Sequence, residues 1–62
     1  MTLADFVEMA RVDSARRLLE DTKKLLQRVA SSSGFVNPDT MRRAFLRRIG
    51  ISPSEYRERF RG

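Results

Sequence analysis

Asn37-Pro38-Asp39-Thr40-Met41-Arg42-Arg43-Ala44-Phe45-Leu46-Arg47-Arg48-Ile49-Gly50 is the stretch on which the fold turns. Asn37 has the side chain of a strong helix N-cap. Pro38 suits the first helical position, where its missing N–H removes no bond. Asp39 brings negative charge to the positive end of the helix dipole. Gly50 is the residue that most readily turns left-handed and stops a helix. At about 100° per residue, Met41, Phe45 and Ile49 fall on one stripe with Ala44 beside it. The opposite arc carries Asp39, Thr40, Arg43, Leu46 and Arg47, with Arg42 and Arg48 on its flanks.

Downstream, Ile51-Ser52-Pro53-Ser54-Glu55-Tyr56 predicts a last short helix ending about Phe60. Ser52 and Glu55 have capping-box spacing, Pro53 sits at the first position, and Ile51 with Tyr56 has the spacing of a hydrophobic staple. Upstream, Leu25 to Ser32 reads as a short helix with Leu25, Leu26, Val29 and Ala30 facing inward. It stops at Ser33-Gly34-Phe35, where Gly34 takes a left-handed turn and Phe35 folds back on the last turn. Ala30, small and four residues before Gly34, lets the two helices pack closely.

The first helix is expected from Leu3 to about Asp21, with Thr2 as cap and Asp5 completing a weak capping box. Leu3, Val7, Ala10, Ala15, Leu18 and Leu19 share its broad apolar face. Phe6 and Met9 project elsewhere: either the helix is buried on two sides, or these are isolated surface apolars. No four-residue stretch alternates convincingly and β-branched residues are sparse, so no strand is expected.

Composition narrows the chemistry. The chain has 62 residues and no Cys, His or Trp. One domain of this size buries only about 60% of its unfolded surface and has no staple to help it. Without thiol or imidazole there is no triad and no structural zinc site. Three scattered glycines make no phosphate-cradling loop, and the carboxylates form no cation-holding cluster. These absences argue against an enzyme, a metal or a cofactor. No apolar run is long enough for a membrane span or a secretory signal.

Charge supplies the positive indication. The net charge is +5 and the pI about 11.1, values typical of a domain that meets a polyanion. Met1 to Asp21 has three basic residues against five acidic ones; Thr22 to Gly62 has ten against three. A short helix, a tight turn and a longer basic helix are the layout of a helix-turn-helix, whose second helix enters the major groove. On a lone basic helix the arginines would read as a solubilising face; the preceding helix and turn favour DNA.

The run Ala15-Arg16-Arg17-Leu18-Leu19-Glu20, then Val29-Ala30 with Gly34-Phe35, then Phe45-Leu46-Arg47-Arg48-Ile49-Gly50-Ile51-Ser52-Pro53 and Tyr56-Arg57, resembles the AraC/XylS family of bacterial transcription regulators. Thr40-Met41-Arg42-Arg43-Ala44-Phe45 is more similar to the subgroup with a DJ-1/amidase-like sensor domain. The resemblance implies an all-α fold: a homeodomain-like helix-turn-helix unit preceded by a long connecting helix. Residues 1–62 would be one DNA-binding subdomain, with 3–21 the connecting helix, 25–49 the helix-turn-helix and 52–60 the C-terminal helix. It implies sequence-specific binding of double-stranded DNA by a cytoplasmic regulator, activator roles included. A first helix-turn-helix and a sensor domain would belong to the full-length protein, and Phe6 and Met9 would face that absent partner. By family position, Asp39, Arg42 and Arg43 are the base-contact candidates, and Thr40, Arg47 and Arg48 the phosphate-contact candidates. Asp39 either accepts from cytosine or belongs to the helix cap. Leu46 either touches a thymine methyl or packs on a neighbouring segment. Two other readings stand beside DNA binding: a helical module docking an acidic partner such as an RNA polymerase subunit, and a basic amphipathic segment on anionic membranes, against which the caps and the tight turn argue.

Overall fold

The computed structural model describes residues 1–60 and is all-helical, as the sequence pattern implies. The elements are α1 (Leu3–Asp21), α2 (Leu26–Ser32), α3 (Pro38–Ile49) and α4 (Pro53–Phe60), with no strand among the described residues. Local chemistry fixes their ends. Thr2 and Asp5 make both halves of a capping box on α1, each bond 3.1 Å long. Asn37 Oδ1 accepts from the Thr40 N–H at 2.8 Å and opens α3. Gly50, with φ +78°, closes it.

The turn after α2 is a Schellman motif. Phe35 N–H donates to Ala30 O at 2.9 Å and Gly34 N–H to Ser31 O at 3.3 Å, which satisfies carbonyls that a helix end leaves free. Gly34 has φ +88°, and a Cβ there would lie 3.2 Å from Arg11 Nε. The glycine is therefore needed for its backbone conformation, since the exposed Arg11 side chain need give only a few tenths of an ångström to admit a Cβ. Phe35 turns inward and is buried.

α1 packs on all three other helices. The centre of the core is Phe45, fully buried and flanked by Leu19, Met41 and Val29, the other large side chains with no effective exposure. Tyr56 meets the Phe45 ring edge-to-face at a centroid distance of 6.1 Å. Its hydroxyl joins α4 to α1: it donates to Glu20 Oε2 and accepts from Arg16 Nε at 3.1 Å. The Arg16 guanidinium also lies 5.5 Å from the Tyr56 ring centroid, a cation–π geometry. Burial, and then the Glu20 carboxylate, push the Tyr56 phenol above its ordinary pKa.

The buried face of α1 is Val12, Ala15 and Leu19. Continued toward the N-terminus, its three-and-four spacing passes through Glu8 and Asp5. On α3 the corresponding row is Met41, Ala44 and Phe45, then Arg48. The contact between α1 and α3 thus begins apolar and ends ionic. Arg48 Nε donates to Glu8 Oε1 and its Nη2 to Asp5 Oδ1, both at 2.7 Å. Arg47 Nε and Nη2 bond the two Glu8 oxygens at 3.2 and 2.5 Å.

This seam corrects the apolar face expected for α1. Leu3 (79% exposed) and Ala10 are outside, and Val12, not assigned to that face, is in the core. Periodicity ranks positions by hydrophobicity, and here two seam positions are carboxylates. Arg48 likewise occupies the inward position on α3, so Ile49 sits at the edge, 37% exposed. Leu25 is not an inward helical residue; it stands at the N-cap of α2 with its side chain in solvent. At α4 only half of the expected capping box forms: Ser52 Oγ accepts from the Glu55 N–H at 3.2 Å, while the Glu55 carboxylate pairs with Arg59 at 3.1 Å.

Three outcomes follow from this packing. Phe45→Ala is expected to cost about 3–5 kcal/mol, against the roughly 3–9 kcal/mol a chain of this length has in total. A circular-dichroism melt should lose its cooperative transition or fall by at least about 12 °C; a smaller fall would place Phe45 outside the core. Gly34→Ala should destabilise by about 1–2 kcal/mol, and an unchanged denaturant midpoint would contradict the left-handed turn.

The third outcome concerns acid. Arg48, followed by the Thr2 bonds, holds the Asp5 carboxyl down at about 2. Arg47, and then Arg48, lowers Glu8. A depressed folded-state pKa contributes stability that is present above the ordinary carboxylate range, about pH 4, and is lost as pH falls through the folded-state value. Melting temperatures should therefore decline from about pH 4 toward about pH 2. The Asp5→Asn/Glu8→Gln double variant should show a flatter profile over that window; parallel profiles would remove the seam from the acid response.

Candidate nucleic-acid interface

α2, the Gly34 turn and α3 are locked together by Val29, Ala30 and Phe35 packing on the Met41–Ala44–Phe45 row. With that row turned inward, α3 presents its other side to solvent. Asp39, Arg42, Arg43 and Arg47 have side chains 52%, 51%, 63% and 57% exposed, so none is committed to the core. A helix of this breadth, with guanidinium groups outermost, matches the width of a B-form major groove and its guanine acceptors.

The six residues singled out in the sequence fall into two groups along α3. Asp39, Arg42 and Arg43 meet at its N-terminal end. Asp39 Oδ1 accepts from Arg42 Nη2 at 2.9 Å and from its Nε at 3.3 Å. Asp39 Oδ2 accepts from Arg43 Nη2 at 2.5 Å and from its Nε at 3.0 Å. These two arginines, Arg42 first, hold the Asp39 carboxyl below the usual range. Thr40 stands beside them, half-buried, with its hydroxyl bonded to Asn37 Oδ1 at 2.9 Å. Arg47 and Arg48 lie at the other end, on the α1 seam. Arg48 is the more enclosed, its side chain 26% exposed between Asp5 and Glu8. Leu46 remains 43% exposed on the outer arc.

Two sets of residues were not visible from the pattern along α3. Asp5 and Glu8 neutralise Arg47 and Arg48 across some forty positions of sequence. Only the capping spacing of Asp5 was a signal, and it pointed to Thr2. Lys23, Lys24 and Arg28 border one shallow depression at the start of α2, and Arg28 also borders a second with Asn37 and Pro38. Among the described residues none of these three cations takes part in an ion pair. The basic count after Thr22 includes them, yet nothing in the sequence sets Arg28 beside the opening of α3. The described residues contain no metal-holding group of His, Cys, Asp or Glu, and no helix among them is long and apolar enough to cross a membrane.

A family model described as a helix-turn-helix domain matches residues 1–59. The HTH-type transcriptional regulator Rv1931c of Mycobacterium tuberculosis is 47% identical over 55 residues, 89% of this chain and 21% of that protein. The uncharacterized HTH-type transcriptional regulator YpdC of Escherichia coli is 34% identical across the whole chain, 22% of its own length. The HTH-type transcriptional activator RhaR of Klebsiella pneumoniae is 33% identical over 98% of the chain, again 22% of its length. The chain thus spans about a fifth of the curated relatives it matches. No solved structure matches it. With a helix-turn-helix model covering nearly all of the chain, and with α2, the Gly34 turn and α3 in the corresponding arrangement, the chain belongs to the helix-turn-helix family of AraC-type transcription regulators.

Proposed function

We propose that this chain binds double-stranded DNA sequence-specifically as part of a bacterial transcription regulator, with α3 in the major groove. The observation that carries the reading is the Arg42–Arg43 pair, exposed on a helix whose other side is fixed in the core. Arg42 and Arg43 are the base readers, since a guanidinium matches the two acceptors of guanine. Thr40 and Arg47 contact phosphate. Lys23, Lys24 and Arg28 join them, being unpaired among the described residues and gathered at the start of α2, with Arg28 beside Asn37 and Pro38 at the opening of α3. Arg48 is not in this set, because its guanidinium is enclosed between two α1 carboxylates, whereas Arg47, though paired with Glu8, keeps its side chain 57% exposed. The role is one of binding rather than catalysis, exercised where the genome is, in the cytoplasm.

α1 then acts as the connecting helix of a longer DNA-binding domain. The exposed apolar residues Leu3, Phe6 and Met9 support this role, as they form a surface that a further unit would cover. The relatives are several times longer than this chain, which favours a first helix-turn-helix and a sensor domain in the full-length protein.

Salt and substitution test the assignment. Duplex affinity should fall steeply between about 50 and 200 mM salt, and a flat response would sink the phosphate contacts. Arg28→Ala should weaken binding to all sequences alike and reduce the salt slope by about 1. Arg43→Ala should cost about 1–3 kcal/mol, mainly on duplexes selected by the chain from a randomised pool. Equal loss on selected and random duplexes would make Arg43 a phosphate contact instead.

A further inference from the structure

We propose that Asp39 is a positioning residue for DNA recognition: it aligns Arg42 and Arg43 for guanine and reduces their attraction to phosphate in general. The inference rests on the DNA-binding reading above. A carboxylate has about four acceptor sites, and those of Asp39 meet four N–H donors, the Nε and Nη2 groups of the two arginines. No acceptor is left for cytosine unless an arginine is released. The cap of α3 does not need Asp39 either. Asn37 Oδ1 takes the Thr40 N–H, and the Asp39 side chain bonds no backbone group of the helix.

What remains free on each arginine completes the argument. Nε and Nη2 form one edge of a guanidinium, and Asp39 occupies that edge on both residues. The end-on pair, one N–H from each terminal nitrogen, stays open, and two N–H groups in that fork suit guanine O6 and N7. Two long side chains that would otherwise sample many rotamers are thus tied to one shared anchor, which reduces the ordering cost of binding. The same carboxylate places a negative charge where the helix approaches the DNA backbone. Random sequence, which offers phosphate but no matched guanines, gains least from the arrangement.

The test uses the 62-residue chain and a pool of duplexes with a randomised centre, with bound fractions sequenced and affinity for the unselected pool measured by fluorescence anisotropy. The unaltered chain should enrich guanine at one or two positions. Asp39→Asn should flatten that enrichment and bind the unselected pool about five- to tenfold more tightly at 0.1 M salt, the gain expected from one additional effective phosphate contact. Asp39→Ser provides a second neutral variant should Asn37 and a new amide interfere with each other. Asp39→Glu, which keeps a carboxylate within reach of both arginines, should retain the guanine preference. Unchanged guanine enrichment in both neutral variants would overturn the proposal even if pool affinity rose, because removal of charge alone tightens binding to any duplex. Absence of duplex binding by the unaltered chain would overturn the DNA-binding reading and this inference together.

Discussion

The row Asp5–Glu8–Val12–Ala15–Leu19 along α1 is the constraint on which the rest of this small structure depends. Its apolar half gives α2, α3 and α4 a common surface to pack on, and its ionic half fixes the far end of α3. A chain of 62 residues without a disulfide has little apolar area to bury. Placing carboxylates at the solvent-facing end of the row extends the contact past the point where hydrophobic side chains run out. Exposed ion pairs contribute little individually. Here two arginines share two carboxylates in a network, with Arg48 and Glu8 partly enclosed, and their role is orientation more than cohesion.

That seam also divides the arginines of α3 by task. Arg47 and Arg48 are the α3 arginines that reach α1, and both are bonded to its acids. Arg42 and Arg43, one to two turns earlier, face outward and answer to Asp39. The +5 charge of the chain is therefore less available than its number suggests. Much of the positive charge on α3 is internally balanced, whereas Lys23, Lys24 and Arg28 have no such partner among the described residues.

Where the fold depends on short-range chemistry, the sequence reading and the structure agree at most of the helix ends, Leu25 and the Glu55 half of the α4 capping box being the exceptions. Thr2 with Asp5, Asn37 with Thr40, and the Gly34 and Gly50 stops act within a few residues of chain, so neighbours along the sequence suffice to identify them. The failures along the α1–α3 contact share one cause. Val12 in the core, Arg48 on the inward row and Leu3 in solvent each depend on which α1 residue faces which α3 residue. Hydrophobic periodicity carries no such information once an ion pair occupies a seam position. The same holds for the site: the arginines of α3 were evident as a group, but their sorting into those held by Asp39 and those held by Glu8 and Asp5 is a property of side-chain pairing.

Tyr56 is the only tyrosine in a chain that has no tryptophan. Its ring lies between the core and the Arg16 guanidinium, and its hydroxyl reaches Glu20. Tyrosine emission and near-ultraviolet tyrosine bands therefore originate at a single place, the joint where the last helix meets the first. The molecule carries a native optical marker for that docking event, separate from the far-ultraviolet signal that all four helices share. Undocking of α4 while the other helices persist would separate the two signals, and a cooperative collapse would move them together.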